Sequence, residues 1–202
     1  MRNEQRKAET RQKLITAAQQ CIAEMGYVQV DILDITERAN VSRATFYKHF
    51  RNKEDCVQAL MQQGFDSLLA EIMSTRHHIQ DHDWAAKALA RVYGWAEDNR
   101  ELMNVMTGGS ASPALNAFGR RYMAEVVEQT LSAQFADSFL SASEIPVAIS
   151  AQVITGIVIQ LTEWWLSHSA DYTAEQLGRM TRDIITSGLG QSLRNLDWNK
   201  SS

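Results

Sequence analysis

The sequence is poor in residues that break helices. Only two prolines, Pro113 and Pro146, occur in 202 residues. Long periodic stretches lie between the glycines, so an all-α chain is expected. Cysteine is scarce too. Cys21 and Cys56 do not make a disulfide framework; they fit a reducing cytosol, and a cytoplasmic location is expected. The charged N-terminus "MRNEQRKAETRQKL" has no apolar signal segment behind it. The longest apolar run, "VITGIVIQL", has nine residues, short of a membrane span, so no membrane partner is expected. No set of nucleophile, base and orienting group is legible, and no Cys/His cluster stands out. Neither an enzyme nor a cofactor-binding or metal-binding protein is expected. His78 and His82, four apart with Asp81 adjacent, have a spacing that a helical metal site uses, but a solvated connector is the simpler reading.

What is present is unevenly placed. Formal net charge is −4. Residues 1–53 hold ten Lys/Arg against six Asp/Glu, a balance of +4, and residues 54–202 hold ten against eighteen, a balance of −8. A basic head on an acidic body points to a polyanion as the head's partner, with chance asymmetry of solvated faces as the plainer alternative.

Residues 5–24 read as a helix, because Leu14, Ala17, Ala18, Cys21, Ile22 and Met25 recur at three- and four-residue steps. Gly26 stands where a left-handed C-cap is expected. Val28, Val30 and Ile32 alternate, so a short strand competes at this point with a helix. A helix from about Ile32 to Ala39 is preferred, N-capped by Asp31, with Ile32, Ile35 and Ala39 on one face. Asn40 tolerates a left-handed turn. Ser42 then caps a further helix, Arg43 to Phe50, with Phe46 and Phe50 inward over Val41. Cys21 and Cys56 fall at apolar positions and read as core thiols.

Two short helices joined by a tight turn at 39–42 form a helix-turn-helix, whose second helix enters the major groove of DNA. With both phenylalanines inside, Arg43, Ala44, Thr45, Tyr47 and Lys48 are left on or near the exposed side. Arg43, at the helix N-terminus, can pair bidentately with guanine. Ala44 permits close approach, and the Thr45 methyl suits a thymine methyl. Tyr47, Lys48 and His49 suit phosphates, with His49 standing equally between phosphate contact and packing. Asn52 caps the next helix, whose first-turn N–H groups and Lys53 ammonium make a phosphate site.

The stretch "DITERANVSRATFYKHFRNKEDC" resembles the DNA-binding signature of the tetracycline-repressor (TetR) family of bacterial one-component regulators. The likeness covers about residues 8–60. It implies an all-helical homodimer with an N-terminal DNA-binding domain and a C-terminal domain that binds a small molecule and dimerises. Carried over by position, it implies DNA contacts at Ser42, Arg43, Ala44, Thr45, Tyr47, Lys48, His49 and Lys53. Three positions depart from the pattern. Asp31 stands where the family often has a phosphate-donating Thr, Thr36 replaces a usual Ala, and Asn40 replaces the usual turn Gly.

The body reads as further helices: Asn52 to about Ser74, Asp83 to Asn99, a short one in "RELMNVM" ended by Gly108-Gly109, and one from Pro113 to about Phe135. Ser143 through Ser167 is apolar nearly all round and so must be buried on every side. Thr173 and Gln176 make a capping box for a last helix running to about Leu193. The resemblance makes these last two helices a dimerising pair, with Ile154, Ile157, Leu161, Leu177, Met180 and Ile184 as interface candidates. Met103, Met106, Phe118, Tyr122 and Trp164 are candidates for an adaptable apolar pocket, though the same types fill ordinary cores.

The expected architecture is therefore a helix-turn-helix domain over residues 1–52 and a ligand-binding and dimerisation domain over 53–202. The expected function is sequence-specific transcriptional regulation: a ligand-responsive repressor acting as a homodimer on a palindromic double-stranded DNA operator, with a small apolar or aromatic ligand. The alternatives are an activator of the same family and a helical adaptor that binds protein. The polar, basic face of Arg43–Lys48 argues against the adaptor, because protein-binding faces favour apolar anchors at their centre.

Overall fold

The computed structural model describes residues 2–76, 83–107, 112–135, 145–168 and 171–187, all helix, turn or cap. The helices are α1 (Arg2–Met25), α2 (Ile32–Arg38), α3 (Arg43–Tyr47), α4 (Lys53–Arg76), α5 (Trp84–Asp98), α6 (Arg100–Thr107), α7 (Pro113–Phe135), α8 (Val147–Ser167) and α9 (Ala174–Ser187). The polar connector with His78, Asp81 and His82, the Gly108-Gly109 stop, Ser143 and the last turns to Leu193 lie outside the described residues.

Local chemistry sets the ends of the short head helices. Gly26 adopts φ 76° and closes α1, the left-handed conformation that costs glycine least. The competing strand does not form. Residues 27–29 are turn, and Val30 is buried beneath them. Asp31 builds a full capping box: its carboxylate accepts from the N–H of Leu33 (2.6 Å) and Asp34 (3.1 Å), and the Asp34 carboxylate accepts from Asp31 N–H at 2.7 Å. Asn40 takes φ 53°, so the turn keeps its left-handed residue without glycine. Thr36 is buried, and its hydroxyl donates to Leu33 O at 3.0 Å, so the extra polar atom is satisfied within α2.

α3 is shorter than its apolar spacing suggests. It ends at Tyr47, and His49 and Phe50 turn back to donate N–H to Phe46 O at 2.9 and 3.0 Å. Phe50 still reaches the core, its ring 5.7 Å from that of Phe46. α1 lies across α2 and α4, and Leu14, Ala18, Cys21 and Ile22 meet Ile35, Phe46, Cys56 and Val57 in one cluster. Both thiols are buried and free, and burial pushes Cys56 up to about 12, as suits a core thiol. The Arg38 guanidinium pairs with Glu24 and ties α2 to α1.

α4 continues from the head into the body, carrying Phe65, Leu68 and Ile72 into the body core. α7 packs on α4, α6 and α8, while α9 packs mainly along α5 in the most extensive helix pair of the fold. That pair is fastened by a buried Tyr93–Thr181 hydroxyl bond (2.7 Å) and by Arg182 with Asp83 (2.8 Å). α8 begins later than expected, at Val147, with Pro146 as its N-cap. At 21 residues it is long and apolar enough to cross a membrane by length and composition alone. The nine-residue run understates it, because scattered Thr, Ser and Gln barely lower its apolar character. It packs against α5, α6, α7 and α9 as part of the body.

Candidate nucleic-acid interface and body cavity

The head presents one polar, basic face. Phe46 is 0% exposed and Phe50 is buried beside it, which turns the rest of α3 outward. Ser42, Arg43, Ala44 and Lys48 are exposed, Tyr47 is 53% exposed, and Thr45 is half-buried. Ser42 caps the helix: its Oγ accepts from Thr45 N–H at 3.1 Å and shares a hydrogen bond with Thr45 Oγ1 at 2.9 Å. Thr45 is therefore tied to the cap through both its backbone N–H and its hydroxyl. Arg43 stands on the first turn, where recognition helices meet base edges.

His49 is half-buried, and its Nδ1 is buried without a partner. Burial pushes its pKa down, and the cations of Lys7, Arg11 and Lys48 push it further the same way. A phosphate set among these groups would reverse the charge effect. The same contacts add residues that sequence reading passed over. Lys7 and Arg11, four apart on α1, extend the basic face to the edge of α3, and the Arg11 guanidinium lies 5.0 Å from the Phe50 ring centroid. Their i, i+4 spacing was the available signal.

Lys53 differs from expectation. Its ammonium donates to Tyr27 O (2.9 Å) and Val30 O (2.7 Å) and sits 4.2 Å from the Tyr27 ring centroid. Burial lowers its pKa, against the pull of Asp31, Glu54 and Asp34. Two of its three protons thus fasten the turn before α2, which leaves one for a phosphate. Asn52 caps α4 as expected, accepting from Asp55 N–H at 2.8 Å. The Asp31 carboxylate is committed to its own helix cap, and the Asp34 N–H bond is the main reason that its pKa is lowered.

In the body a cavity of about 100 Å³ is lined by Phe65, Leu68, Leu69 and Ile72 of α4, Val92, Trp95 and Ala96 of α5, Met103 of α6, Tyr122, Met123, Val126 and Val127 of α7, and Ile159 and Thr162 of α8. No charged side chain is among them. Of the five pocket candidates, Met103 and Tyr122 line it. Phe118 stacks on Tyr122 from behind, at 5.7 Å. Met106 is buried against Gly119 in the core beside it. Trp164 lies outside, 38% exposed and stacked on His168. α8 is apolar on every face, so composition could not say which of its residues turn inward. The α4 residues were missed because periodicity shows that a face is apolar but not what it encloses.

The interface candidates divide similarly. Leu177 is turned inward, packed with Tyr93 and Trp165, because α9 closes on α5 through that face. Ile154, Ile157, Leu161 and Ile184 are half-buried, and Met180 is 46% exposed. Ile149 and Val153, which were not singled out, are more exposed than any of these. They lie one helical turn apart on α8.

Residues 14–60 match the family described as bacterial regulatory proteins, tetR family. YvkB, an HTH-type transcriptional regulator of Bacillus subtilis (strain 168), is 39% identical over 54 residues, 27% of this chain and 29% of that one. The HTH-type transcriptional regulator UidR of Escherichia coli (strain K12) is 26% identical over 171 residues, covering 84% of this chain and 85% of the relative. The fold is similar to that of FadR, a transcriptional regulator from Bacillus subtilis solved with stearoyl-CoA: TM-score 0.70 at 18% identity, over 88% of this chain and 98% of that one. At that identity the likeness speaks for the fold. The reader helix and the matched residues agree: residues 14–60 form a helix-turn-helix DNA-binding region of the tetR family of bacterial regulatory proteins, and over most of its length the chain is similar to an HTH-type transcriptional regulator.

Proposed function

We propose that the chain is a ligand-responsive repressor that acts as a homodimer on a palindromic operator, reading DNA through Ser42, Arg43, Ala44, Thr45, Tyr47, Lys48 and His49, with Lys53 in support. The observation that carries this is the exposed basic face of α3 and α1, set directly on α4, the helix whose far half walls the body cavity. On this reading residues 1–52 form the DNA-binding domain and 53–202 the ligand and dimer domain, and the protein works in the cytoplasm without catalysis. The second copy docks on the apolar strip of α8 and α9 that includes Ile149, Val153 and Met180. Only 28% of the most apolar stretch of α8 is buried in one chain, which leaves that strip for a partner. A ligand that favours one cavity shape favours one spacing of the two reader helices. DNA and ligand affinities are then reciprocally coupled, typically by about 1–3 kcal/mol. FadR was solved with stearoyl-CoA; the cavity of about 100 Å³ here suits a molecule of about one ring.

The test is DNA affinity against salt. The expected result is a linear fall of log K with log salt, and a slope shallower by about 1 in Lys48→Ala. Affinity that is insensitive to salt would overturn the DNA reading.

A further inference from the structure

The cavity wall has one polar link to the outside. The Tyr122 hydroxyl donates to the Asp66 carboxylate, joining α7 to α4. The Tyr122 ring lines the cavity and is held between two other rings, 5.8 Å from Phe65 and 5.7 Å from Phe118. Asp66 is exposed, next to the lining residue Phe65, and among the described residues no cation pairs with it. Elsewhere the wall offers few polar side-chain atoms: Thr162 spends its proton on Val158 O at 2.7 Å and keeps only a neutral acceptor oxygen. The charged acceptor that a lining residue reaches is therefore a carboxylate, occupied by a phenol of the protein itself, and a hydrogen bond to a carboxylate is stronger than one to a neutral hydroxyl.

We propose that the ligand is a compact aromatic or alicyclic molecule carrying one hydrogen-bond donor, a hydroxyl or protonated amine, which takes the place of the Tyr122 hydroxyl on Asp66. The ring of the ligand fills the apolar cavity, and its donor meets the carboxylate. Anionic ligands are excluded, because a second carboxylate beside Asp66 is repelled and the wall holds no cation to offset it. Glu125 adds to this negative field at the Tyr122 hydroxyl. Exchange of donors also cuts the α4–α7 link, so that occupancy is felt on the helix that supports the reader. This inference rests on the cavity being the ligand site.

The experiment is calorimetric titration of the full chain with phenol, anisole, benzylamine and benzoate. Phenol and benzylamine are expected to bind at least tenfold more tightly than anisole, which has the ring and no donor, and benzoate is expected not to bind. Asp66→Ala should bring phenol down to the affinity of anisole. Tyr122→Phe, which keeps the ring and removes the competing hydroxyl, should tighten phenol severalfold. Equal binding of phenol and anisole by the wild type, or a preference that survives in Asp66→Ala, overturns the donor assignment while leaving the cavity a ligand site. If neither phenol nor anisole binds, the cavity reading itself fails.

Discussion

Phe46→Ala is expected to melt the head and abolish DNA binding, at a cost of about 3–5 kcal/mol. Phe46 is fully buried where α1, α2, α3 and α4 meet, in edge contact with Tyr47 (5.6 Å) and tilted against Phe50 (5.7 Å). α3 has only five residues, too few to persist as a helix without tertiary packing. Its anchorage is this ring together with the Ser42 cap. Against a total stability of about 5–15 kcal/mol for an ordinary domain, the loss is large. Hydrogen exchange of the α2 and α3 amides and a DNA titration provide the check. Tyr47→Ala is the comparison. Its side chain is exposed, so its stability effect should stay within about 0.5 kcal/mol while DNA binding still weakens. Protected α3 amides in Phe46→Ala would contradict the packing account.

Gly178→Ala should separate α9 from α5. A Cβ built there lies 2.4 Å from Ala86 O, 2.7 Å from Ala90 N and 3.0 Å from Ala90 Cα. All three are backbone atoms, so no side chain can rotate away and the helices must part. Alanine favours a helix over glycine by up to about 1 kcal/mol, but overpacking of this kind costs about 1–3 kcal/mol, occasionally more. Parting the helices also strains the Tyr93–Thr181 bond one turn along α9, a contact worth about 1 kcal/mol. A net loss of about 2 kcal/mol lowers the melting temperature by roughly 4–8 °C for a chain of this size. Gly94→Ala, with nothing within 4 Å of its added Cβ, should leave that temperature unchanged or raise it. Equal melting of the two variants would remove close approach as the reason for Gly178.

The head was legible residue by residue because its signals are local. Asp31, Asn40, Ser42 and Asn52 each satisfy or redirect backbone within three or four positions, and each is found in the expected role. Capping and turn chemistry depend on neighbours in sequence. The second engagement of Lys53 was not legible, because its partners, the carbonyls of Tyr27 and Val30, lie more than twenty residues away. The body shows the same division. The starts of α7 and α9 follow from Pro113 and the Thr173–Gln176 box, in which Thr173 N–H donates to Gln176 at 2.8 Å. Which face of α8 meets the cavity did not follow, because a helix apolar on all sides carries no directional pattern. Trp164 was therefore given to the wrong side, and Ile149 and Val153 were passed over; Leu177 turns inward because α9 closes on α5, a pairing across more than eighty positions. The Tyr122–Asp66 link spans 56 positions and has no sequence signal at all.

The most direct test of the account is selection from a random double-stranded DNA pool with the full chain, wild type beside Arg43→Ala. The wild type should enrich an inverted repeat with half-sites about 34–36 Å apart or somewhat more. Arg43→Ala should keep the repeat but become degenerate at one symmetric pair of positions, with discrimination there reduced by about 1–3 kcal/mol. No enrichment by the dimeric wild type, with or without cell extract, would contradict sequence-specific reading by α3.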